Sequence, residues 1–550
     1  MQNCKQCQSS FEIADKEKAY CDQLGVPVSD TCRQCRLRNI MATRNEWKLY
    51  RRKCDSSGDE IISAYPPNSP FTVYKNEVWW GSDWDALDYG KDYDFNRPFF
   101  EQFAELQKAV PREGTTVFNC ENCDYNSHIR ESRNCYLNSL VHQCEDMHYS
   151  YWMTFDKDVV DSMYTNESTL CYNCISVNKG YGCVMLEESN NCNECHFSFQ
   201  LKGCDHCLFC TNLTDQSYQL FNKPCRQEEF EDIKNKTLDG SWATWQKAYQ
   251  HYLEIRKKAV HRFVHNLNCE NVTGDHLYNC RNCDNCFESF DSEEGVNSVS
   301  MAKSKIIQNS YSAGWQGCEG VYQSAVTRGS KDIAFCTYTW YSGTLRYCDS
   351  CNACNDCFGC IGLQHKKYCI LNKQYSKEEY EDLKGKIIEH MSAPGGSGEW
   401  GRFFPFSLFL FAYNESAAMD FFPLTKEQAL ELGYGWREED AKDYQVATIS
   451  EIPDNIKDIG DDITKEILAC VDCGKNYKVI AQELKFYREI NLPIPHHCPT
   501  CRHRIRFELR NPLNLFSRQC NKCKKEIKST YPPDCPEEVY CEQCYLKEVY

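Results

Sequence analysis

The sequence contains no long apolar run and none of the common catalytic motifs. Its most apolar stretch, residues 403–413 (FFPFSLFLFAY), is too short to span a bilayer, which requires about 20 residues. The N-terminus, MQNCKQCQSS, has no basic region followed by an apolar stretch, so we expect no signal peptide. There is no HExxH, no Walker A loop, no GxSxG, and no GxGxxG that opens a helix after a strand.

Positive charge is also in deficit. The formal net charge is −17 at pH 7, which argues against nucleic-acid binding along the whole chain. The lysines and arginines that are present cluster near the two ends, within residues 33–53 and 502–528. The acidic excess lies in the middle of the chain, so any binding of phosphate is expected at the ends.

Cysteine, by contrast, is abundant, with 40 residues in a chain of 550. Either a secreted disulfide framework or an intracellular thiol and metal protein explains such a number. Disulfide-rich scaffolds are usually short, and no signal peptide is expected here. The sequence therefore favours a reducing cytoplasm, where thiolates bind metals or thiols pack as small core residues. A chain of this length also predicts several domains rather than one core.

The two ends of the chain are copies of each other at an offset of 466 positions. Cys4, Cys7, Cys32 and Cys35 correspond to Cys470, Cys473, Cys498 and Cys501. The match continues without a gap to a shared Tyr-Pro-Pro at residues 65–67 and 531–533. Both ends are therefore expected to adopt the same fold.

These copies predict three zinc sites with four cysteine ligands each. Two CxxC turns place four sulfurs around one Zn²⁺ ion in a tetrahedron, and a saturated site of this kind is structural. In the N-terminal copy the second site keeps only Cys54, because Ser57, Lys75 and Val78 replace the other ligands. We expect its fold to persist without metal, supported by Trp79 and Trp80. The predicted ligand sets are Cys4, Cys7, Cys32 and Cys35; Cys470, Cys473, Cys498 and Cys501; and Cys520, Cys523, Cys541 and Cys544.

The terminal pattern, CxxC, then CxxCR, RN, Cys, Tyr-Pro-Pro and VYCxxC, resembles the zinc-ribbon modules of an uncharacterised bacterial family of multi-module proteins. The phrases DFNRPFFEQFAEL, NKQYSKEEYEDLK and FFPLTKEQALELGYGW are similar to that family as well. The resemblance implies zinc ribbons at both ends and implies no established activity. The missing ligands at Ser57, Lys75 and Val78 depart from the module's pattern.

The middle of the chain contains a second duplication, at an offset of 150 positions. Cys204, Cys207 and Cys210 correspond to Cys354, Cys357 and Cys360, and EEFEDIK corresponds to EEYEDLK. Cysteines recur 21 positions apart, with spacings of 9 and 12 as well. A period of about 20–30 residues with short β-prone stretches predicts a parallel β-solenoid, closed by helices that protect its open edge.

Many central cysteines are three residues apart, and three explanations remain open for them. They face inward as small apolar core residues, they bind additional metal, or they form disulfides. Core packing is favoured because no defined four-ligand group stands out. The groups concerned are Cys204, Cys207 and Cys210; Cys280, Cys283 and Cys286; and Cys351, Cys354, Cys357 and Cys360.

The fold class predicted is β-rich α+β, with zinc ribbons at both ends of a Cys-rich, solenoid-like region with helical caps. Helices are expected from Pro98 to about Val110, from Gln227 to about His265, and from Thr425 to a stop at Gly433. The predicted domains are 1–80, a ribbon module with one intact site; 81–117, a connector; 118–265 and 266–392, two Cys-rich units with helical caps; 393–465, a linker and an aromatic, then acidic segment; and 466–550, a double ribbon module.

Arginines follow the second CxxC pair in both copies and are candidate phosphate contacts. The alternative is a basic face that pairs with the acidic remainder of the same chain. No base-reading pattern accompanies them. The candidates are Arg36, Arg38, Arg44, Arg52, Arg502, Arg504, Arg510 and Arg518.

Together these features predict a non-enzymatic, zinc-binding interaction scaffold. A protein partner is expected, and nucleic acid is considered as a ligand of the terminal modules. The alternative is a thiol-redox or metal-dependent enzyme that uses the central or exposed CxxC cysteines. His496 and His497 beside Cys498 suggest a catalytic zinc, but cysteines already fill that site.

Overall fold

The structure is a computed structural model that describes residues 1–123, 125–392, 398–438, 447–449 and 451–549. The glycine-rich linker predicted at residues 395–398 lies largely outside the described residues. Within the described ranges, no helix combines the length and apolarity needed to cross a membrane. The helices are α1 Asp15–Leu24, α2 Arg33–Met41, α3 Asn76–Trp79, α4 Phe99–Ala109, α5 Gln227–Thr237, α6 Trp242–Lys258, α7 Lys377–Ser392, α8 Ala418–Phe421, α9 Lys426–Glu431, α10 Ala481–Glu489, α11 Pro499–Glu508 and α12 Glu542–Val549.

Both terminal modules (residues 1–80 and 466–550) contain the same elements in the same order. Each has a short hairpin, two helices, a longer hairpin and a final strand followed by a helix. The N-terminal strands are Gln2–Asn3, Ser10–Phe11, Tyr50–Lys53, Glu60–Ser63 and Val73–Tyr74. The C-terminal strands are Leu468–Ala469, Asn476–Tyr477, Phe516–Gln519, Glu526–Ser529 and Glu538–Tyr540. The offset of 466 positions therefore holds in three dimensions.

Between the modules, short and mostly parallel strands form two central regions. The first central region (117–224) is one 13-stranded sheet, and the second (267–374) contains sheets of seven, three and two strands. The first has strands Val117–Phe118, Ser127–Arg130, Ser139–His142, Glu145–His148, Tyr151–Thr154, Lys157–Val160, Met163–Asn166, Thr169–Tyr172, Ile175–Tyr181, Val184–Phe199, Asp205–Leu208, Ser217–Leu220 and Lys223–Pro224. The second has Gly274–Tyr278, Cys286–Phe290, Lys305–Gln308, Tyr311–Gly314, Glu319–Tyr322, Ala325–Arg328, Lys331–Ala334, Thr337–Trp340, Gly343–Arg346, Asn355–Phe358, Lys367–Ile370 and Lys373–Gln374.

Strands in these regions pair in a constant register. Glu145 pairs with Lys157, which pairs in turn with Thr169. The step is 12 residues, the same separation that the hydrogen bond from the Cys348 amide to Cys336 Sγ spans. The longer period predicted from the cysteine spacing, about 20–30 residues, is therefore wrong.

The cysteine spacing of 21 misled because it joins two separations. A buried thiol lies 12 residues from its counterpart in the paired strand, as Cys336 does from Cys348. It lies 9 residues from the carbonyl that it reaches, as Cys348 Sγ does from Cys357 O. The two separations together give the apparent period.

The backbone changes direction at every third residue. Positive φ recurs at Asn134, Leu137, Leu140 and Gln143, and the same rule runs along most of both central regions. L-residues rarely adopt this conformation, so its regular recurrence is a property of this fold rather than of single turns. One residue in each triplet faces inward, as Val141, Cys144 and Met147 do. Four triplets account for the pairing register.

Helices cover the last strands of both central regions, as predicted. Phe230 of α5 packs edge-on against His206 and Tyr218, and Tyr380 of α7 contacts Tyr368. The single helix expected over residues 227–265 is wrong, because the chain breaks between α5 and α6. Gly240 has φ +85°, and a Cβ there would lie 2.5 Å from Ile456 Cγ2, so the helix cannot continue.

The other two helix predictions are confirmed. Helix α4 occupies the stretch predicted from Pro98 to Val110. Helix α9 begins with a capping box between Thr425 and Gln428, and the chain leaves it at Gly433, whose φ is +92°. Local sequence signals therefore determine both helices.

Each terminal module contacts both central regions. Cys21 Sγ of α1 donates to the Tyr322 hydroxyl of the second central region at 3.3 Å. The Tyr149 hydroxyl of the first central region donates to Glu483 of α10 at 2.8 Å. The last module strands pair in parallel with short strands ahead of the central regions, Arg112–Glu113 and Val260–Arg262. The modules are thus integral to one packed structure.

Candidate metal centres

Three groups of four cysteines have the geometry of a metal site. In each group the four sulfur atoms lie within 4.8 Å of one another. One sulfur pair in each group is 3.7 Å apart: Cys7 and Cys32, Cys473 and Cys498, and Cys523 and Cys541. A tetrahedron with Zn–S bonds of about 2.3 Å separates its sulfurs by about 3.8 Å. The three groups are Cys4, Cys7, Cys32 and Cys35; Cys470, Cys473, Cys498 and Cys501; and Cys520, Cys523, Cys541 and Cys544.

A hairpin turn and a helix start bring each set of four together. The first CxxC lies in a tight turn that leaves through positive φ, at Gln8, Gly474 and Lys524. The second CxxC begins a helix, since Cys32 is the N-cap of α2 and Cys498 is the N-cap of α11. The partial positive charge at a helix N-terminus favours a thiolate.

Backbone amides stabilise the thiolate form of these cysteines. The Cys541 amide donates to Cys520 Sγ at 3.3 Å, and the Cys32 amide donates to Cys4 Sγ at 3.2 Å. Burial opposes ionisation of Cys520, but hydrogen bonds from the amides of Cys523, Cys541 and Lys522 outweigh it and lower its pKa to about 6. The pKa of Cys470 falls to about 7 by the same balance of burial and amide hydrogen bonds. Thiolates are the metal-binding form of cysteine.

The fourth position of the ancestral pattern retains the fold without the ligands. Cys54 Sγ accepts hydrogen bonds from the amides of Ser57 and Lys75, at 3.5 and 3.3 Å. The Ser57 hydroxyl and the Lys75 ammonium both bind Asp59, at 2.9 and 2.5 Å. The indole of Trp79 donates to the Pro111 carbonyl at 3.1 Å. Hydrogen bonds and tryptophan packing hold this unit, as the sequence predicts.

The cysteines of the central regions are core residues. Most are buried and form two clusters with Leu, Val and Met side chains. All 40 cysteines are free, and the central thiols of the described residues form no group of three or more that could hold a metal ion. Core packing, the favoured explanation, is therefore the one that the structure supports.

Inward cysteines and serines play the same hydrogen-bonding role. Ser324 Oγ accepts from the Cys336 amide at 3.1 Å, and Cys336 Sγ accepts from the Cys348 amide at 3.3 Å. In the first central region Cys144 Sγ accepts from the amide of Asp156, 12 residues on, at 3.3 Å. A thiol thus replaces a hydroxyl at the inward position of a triplet, which explains the cysteine content of the chain.

Most of the arginines predicted to bind phosphate are turned into the molecule. Arg36 binds Glu17 at 2.6 Å, and at the corresponding positions Arg502 binds Glu483 at 3.2 Å. Asp161 of the first central region also binds Arg502 and, at 2.8 Å, Arg506. These side chains are all buried. Their contacts are the internal pairing given above as the alternative.

The remaining candidates are mostly engaged as well. Arg44 binds Glu46 at 3.1 Å, and Arg510 binds Glu288 and stacks on Tyr164. The next three donate hydrogen bonds to oxygens nearby: Arg52 to Pro66 O, Arg518 to Pro532 O, and Arg38 to the Tyr434 hydroxyl. The side chain of Arg504 is 52% exposed, where it binds Glu508 and Asp472. Of the eight candidates, only this one is largely available to solvent.

The histidines beside Cys498 do not join the metal group. His496 stacks on Trp242 of α6, with ring centroids 4.3 Å apart and planes 16° apart. His497 lies 3.8 Å from Asp472. Packing therefore accounts for both side chains.

Sequence reasoning missed one further group, formed by Glu188, His265 and His276. The three residues come from the first central region, from the segment after α6 and from the second central region. No motif joins residues so far apart in the chain, and the sequence predicts His265 at the end of a helix.

In comparisons with known proteins, no family model, curated protein or solved structure matches this chain. The likeness to zinc ribbons therefore rests on the three tetracysteine groups and the elements that carry them.

Proposed function

We propose that the protein is a non-enzymatic scaffold whose terminal modules are zinc ribbons, each closed by structural Zn²⁺. The observation that carries this proposal is the set of three tetracysteine groups with tetrahedral spacing. Four thiolates fill a tetrahedral site, so no coordination position remains for a substrate or a catalytic water. The ions would act by fixing the modules.

We further propose that the two central regions are β-solenoids in which each turn equals one step of the pairing register. The constant parallel register, the triplet pattern of positive φ and the stacked inward side chains support this reading. Each turn covers the apolar face of the next, and helices α5 and α7 protect the final edges. A reducing cytoplasm suits a core of free thiols.

The zinc sites and the central regions are linked through helix α11. Cys498 and Cys501 lie in its first turn, and the next turn directs Arg502 and Arg506 onto Asp161. Closing the metal site therefore fixes the residues that dock the C-terminal module. This coupling makes zinc a determinant of the whole architecture rather than of a separate appendage.

A protein partner along the central regions remains part of the proposal. Large apolar side chains stand exposed there, among them Phe155, Tyr181 and Tyr341 at 45–54%. Nucleic acid is the weaker candidate, because internal carboxylates occupy most of the arginines that would bind phosphate. Filter binding with a salt titration tests it: affinity that falls steeply with salt would favour nucleic acid, and no affinity at low salt would exclude it.

Metal analysis of matched variants tests the zinc proposal. Cys523→Ser removes one ligand of a complete group, whereas Cys54→Ser removes the single cysteine of the degenerate one. We expect Cys523→Ser to lose one zinc per chain relative to the unchanged protein, and Cys54→Ser to lose none. Equal zinc in all three proteins would refute the structural role. Rapid alkylation of Cys473 and Cys523 in the zinc-loaded protein would instead favour the thiol-redox alternative, since bound thiolates are shielded.

A further inference from the structure

Two histidines and a carboxylate converge where both central regions meet the C-terminal module. His276 Nε2 lies 3.0 Å from each carboxylate oxygen of Glu188, and His265 Nε2 lies 3.8 Å from Glu188 Oε2. The two imidazole rings stack, with centroids 4.9 Å apart and planes 23° apart. One ligand atom from each residue lies within 4.8 Å of the others. Two imidazoles and one carboxylate form a set that binds Zn²⁺ and Fe²⁺ in proteins.

A second carboxylate faces the opposite edge of both rings. Asp275 Oδ1 is 3.4 Å from His265 Nδ1 and 3.6 Å from His276 Nδ1. The backbone amides of His265 and His276 donate to that oxygen, and the Thr530 hydroxyl donates to Oδ2, so the carboxylate is fixed. A carboxylate at Nδ1 favours the tautomer whose lone pair is on Nε2, the arrangement common behind metal-binding histidines.

The side chain of Gln200 probes the free lone pair of His265. Its amide oxygen accepts hydrogen bonds from Asn212 Nδ2 at 2.9 Å and from the Tyr545 hydroxyl at 3.0 Å. Its amide nitrogen is thereby turned toward His265 Nε2, at 3.1 Å. His265 Nε2 accordingly acts as an acceptor, which is the state that a metal ion requires.

The charge at this junction is unbalanced. Glu187 is paired with Arg256 at 2.6 Å, and Glu288 with Arg510. Among the ion pairs of the described residues, Glu188 and Asp275 have only histidines as partners. Their side chains are 12% and 2% exposed. Two largely buried carboxylates beside neutral imidazoles match the charge of one divalent cation.

A proton on His276 is the competing source of positive charge. Burial disfavours the charged imidazole, but attraction to Glu188, Glu288 and Asp275 outweighs burial and raises the His276 pKa to about 10. A cavity of about 20 Å³ adjoins the residues of this junction. One water molecule needs about 10–15 Å³, so the cavity has room for one small ligand. A metal ion and a proton are therefore alternatives at the same place.

The duplicated half of the chain lacks the ligand set. At the offset of 150 positions, Tyr338 stands where Glu188 stands, and His128 stacks on Tyr338 at 5.9 Å. Arg44, which corresponds to Arg510 at the offset of 466, still lies beside this second junction, with Glu46. The same architecture thus forms without the two-histidine, one-carboxylate set, so packing alone does not account for it.

We propose that Glu188, His265 and His276 form a fourth metal site, which binds a divalent transition-metal ion such as Zn²⁺ through one carboxylate oxygen and two imidazole nitrogens. Asp275 orients both rings. Three protein ligands leave a coordination position for water, unlike the tetracysteine groups. This site is independent of the zinc-ribbon proposal.

Cobalt exchange in the full-length protein tests the proposal. The protein is purified with zinc and then dialysed against Co²⁺, which enters an accessible nitrogen and oxygen site before it displaces thiolate-bound zinc. We expect one Co²⁺ per chain with d–d absorption and without the intense sulfur-to-cobalt charge-transfer band. Glu188→Gln and His276→Gln should lose this ion, whereas Tyr338→Phe at the duplicated junction should retain it. Asp275→Asn should weaken binding by about 10–100-fold.

Absence of this cobalt signal in the unchanged protein would overturn the proposal without reference to any variant. Equal cobalt in the unchanged protein and in both ligand variants would also overturn it and would leave a proton-bridged cluster only. Thiolate-bound zinc, read separately through the loss caused by Cys523→Ser, reports on the ribbons. Failure of that loss would contradict the ribbons while leaving the cobalt result intact.

Discussion

A buried carboxylate inside the first central region should make its stability depend on pH. Asp156 occupies an inward triplet position, where Oδ1 accepts from the Ser168 amide at 2.7 Å and Oδ2 from the Thr165 hydroxyl at 2.8 Å. No Lys or Arg pairs with it among the ion pairs of the described residues. Burial outweighs these hydrogen bonds and raises the Asp156 pKa from 3.8 to about 7. The folded protein therefore favours the protonated form.

The size and sign of the effect follow from linkage. One pKa unit corresponds to about 1.4 kcal/mol, so the shift from 3.8 to about 7 corresponds to about 4 kcal/mol. Because the folded pKa is raised, this stability is fully present below about pH 4 and is lost as the pH rises to about 7. Above pH 7 the difference is constant.

Asparagine is the matched substitution, because Asn138 already fills an equivalent inward position. Asn138 Oδ1 accepts from the Ser150 amide, 12 residues on, at 2.8 Å, as Asp156 does from Ser168. Relative to the unchanged protein, Asp156→Asn should be neutral near pH 4 and stabilising by up to about 4 kcal/mol at pH 7 and above. Asn138→Asp should introduce the same pH dependence at a second position.

Hydrogen exchange measured by mass spectrometry, on peptides that span residues 144–180, is the assay. Comparing variant and unchanged protein at each pH cancels the intrinsic pH dependence of exchange. We expect protection to diverge between pH 4 and pH 7 and then to remain parallel. Parallel protection over the whole range would show that Asp156 is ionised in the folded protein and would refute the reasoning.

Three further perturbations test the packing. Asp161→Asn leaves the buried guanidinium of Arg506 without its carboxylate, which should cost about 3–5 kcal/mol and increase hydrogen exchange in α11; unchanged exchange would contradict the docking role. Cys336→Ser should change the unfolding midpoint little, whereas Cys336→Val leaves the Cys348 amide without an acceptor and should cost about 1–3 kcal/mol in denaturant unfolding. Gly240→Ala should lower the thermal midpoint, with a cost of about 1–3 kcal/mol, because its φ of +85° and its contact with Ile456 exclude a side chain.

The zinc ligands and several helix boundaries could be predicted because their signals are local or duplicated. A CxxC turn defines two ligands within four residues, and the copy at the other end supplies the same pattern independently. Thr425 and Gln428 define the start of α9 by a capping box that four consecutive residues contain. In these cases the chemistry and the sequence neighbourhood coincide.

The length of the central turn could not be predicted because cysteine is only one of several inward residues. Ser, Asn, Val and Met alternate with it at the same triplet position, as at Asn138, Val141, Cys144, Met147 and Ser150. Counting cysteines alone samples the pattern irregularly and yields sums such as 21. A search for any buried-type residue at every third position would have found the triplet.

The destinations of the arginines and the Glu188 group depend on contacts between distant segments. Arg502 meets Asp161, and His276 meets Glu188, only after the modules and both central regions have packed together. Charge clustering near Arg502 is visible in the sequence, but its partner is not. Sequence reasoning therefore identified the residues that carry charge without identifying what they bind.

Zinc X-ray absorption spectroscopy of the Glu188→Gln variant, combined with metal analysis, tests the central claim most directly. This variant removes the proposed nitrogen and oxygen site and leaves the three tetracysteine groups. The account predicts three zinc ions per chain, each surrounded by four sulfurs at about 2.3 Å. Fewer than three zinc ions, or nitrogen and oxygen neighbours at about 2.0–2.1 Å in that variant, would contradict it.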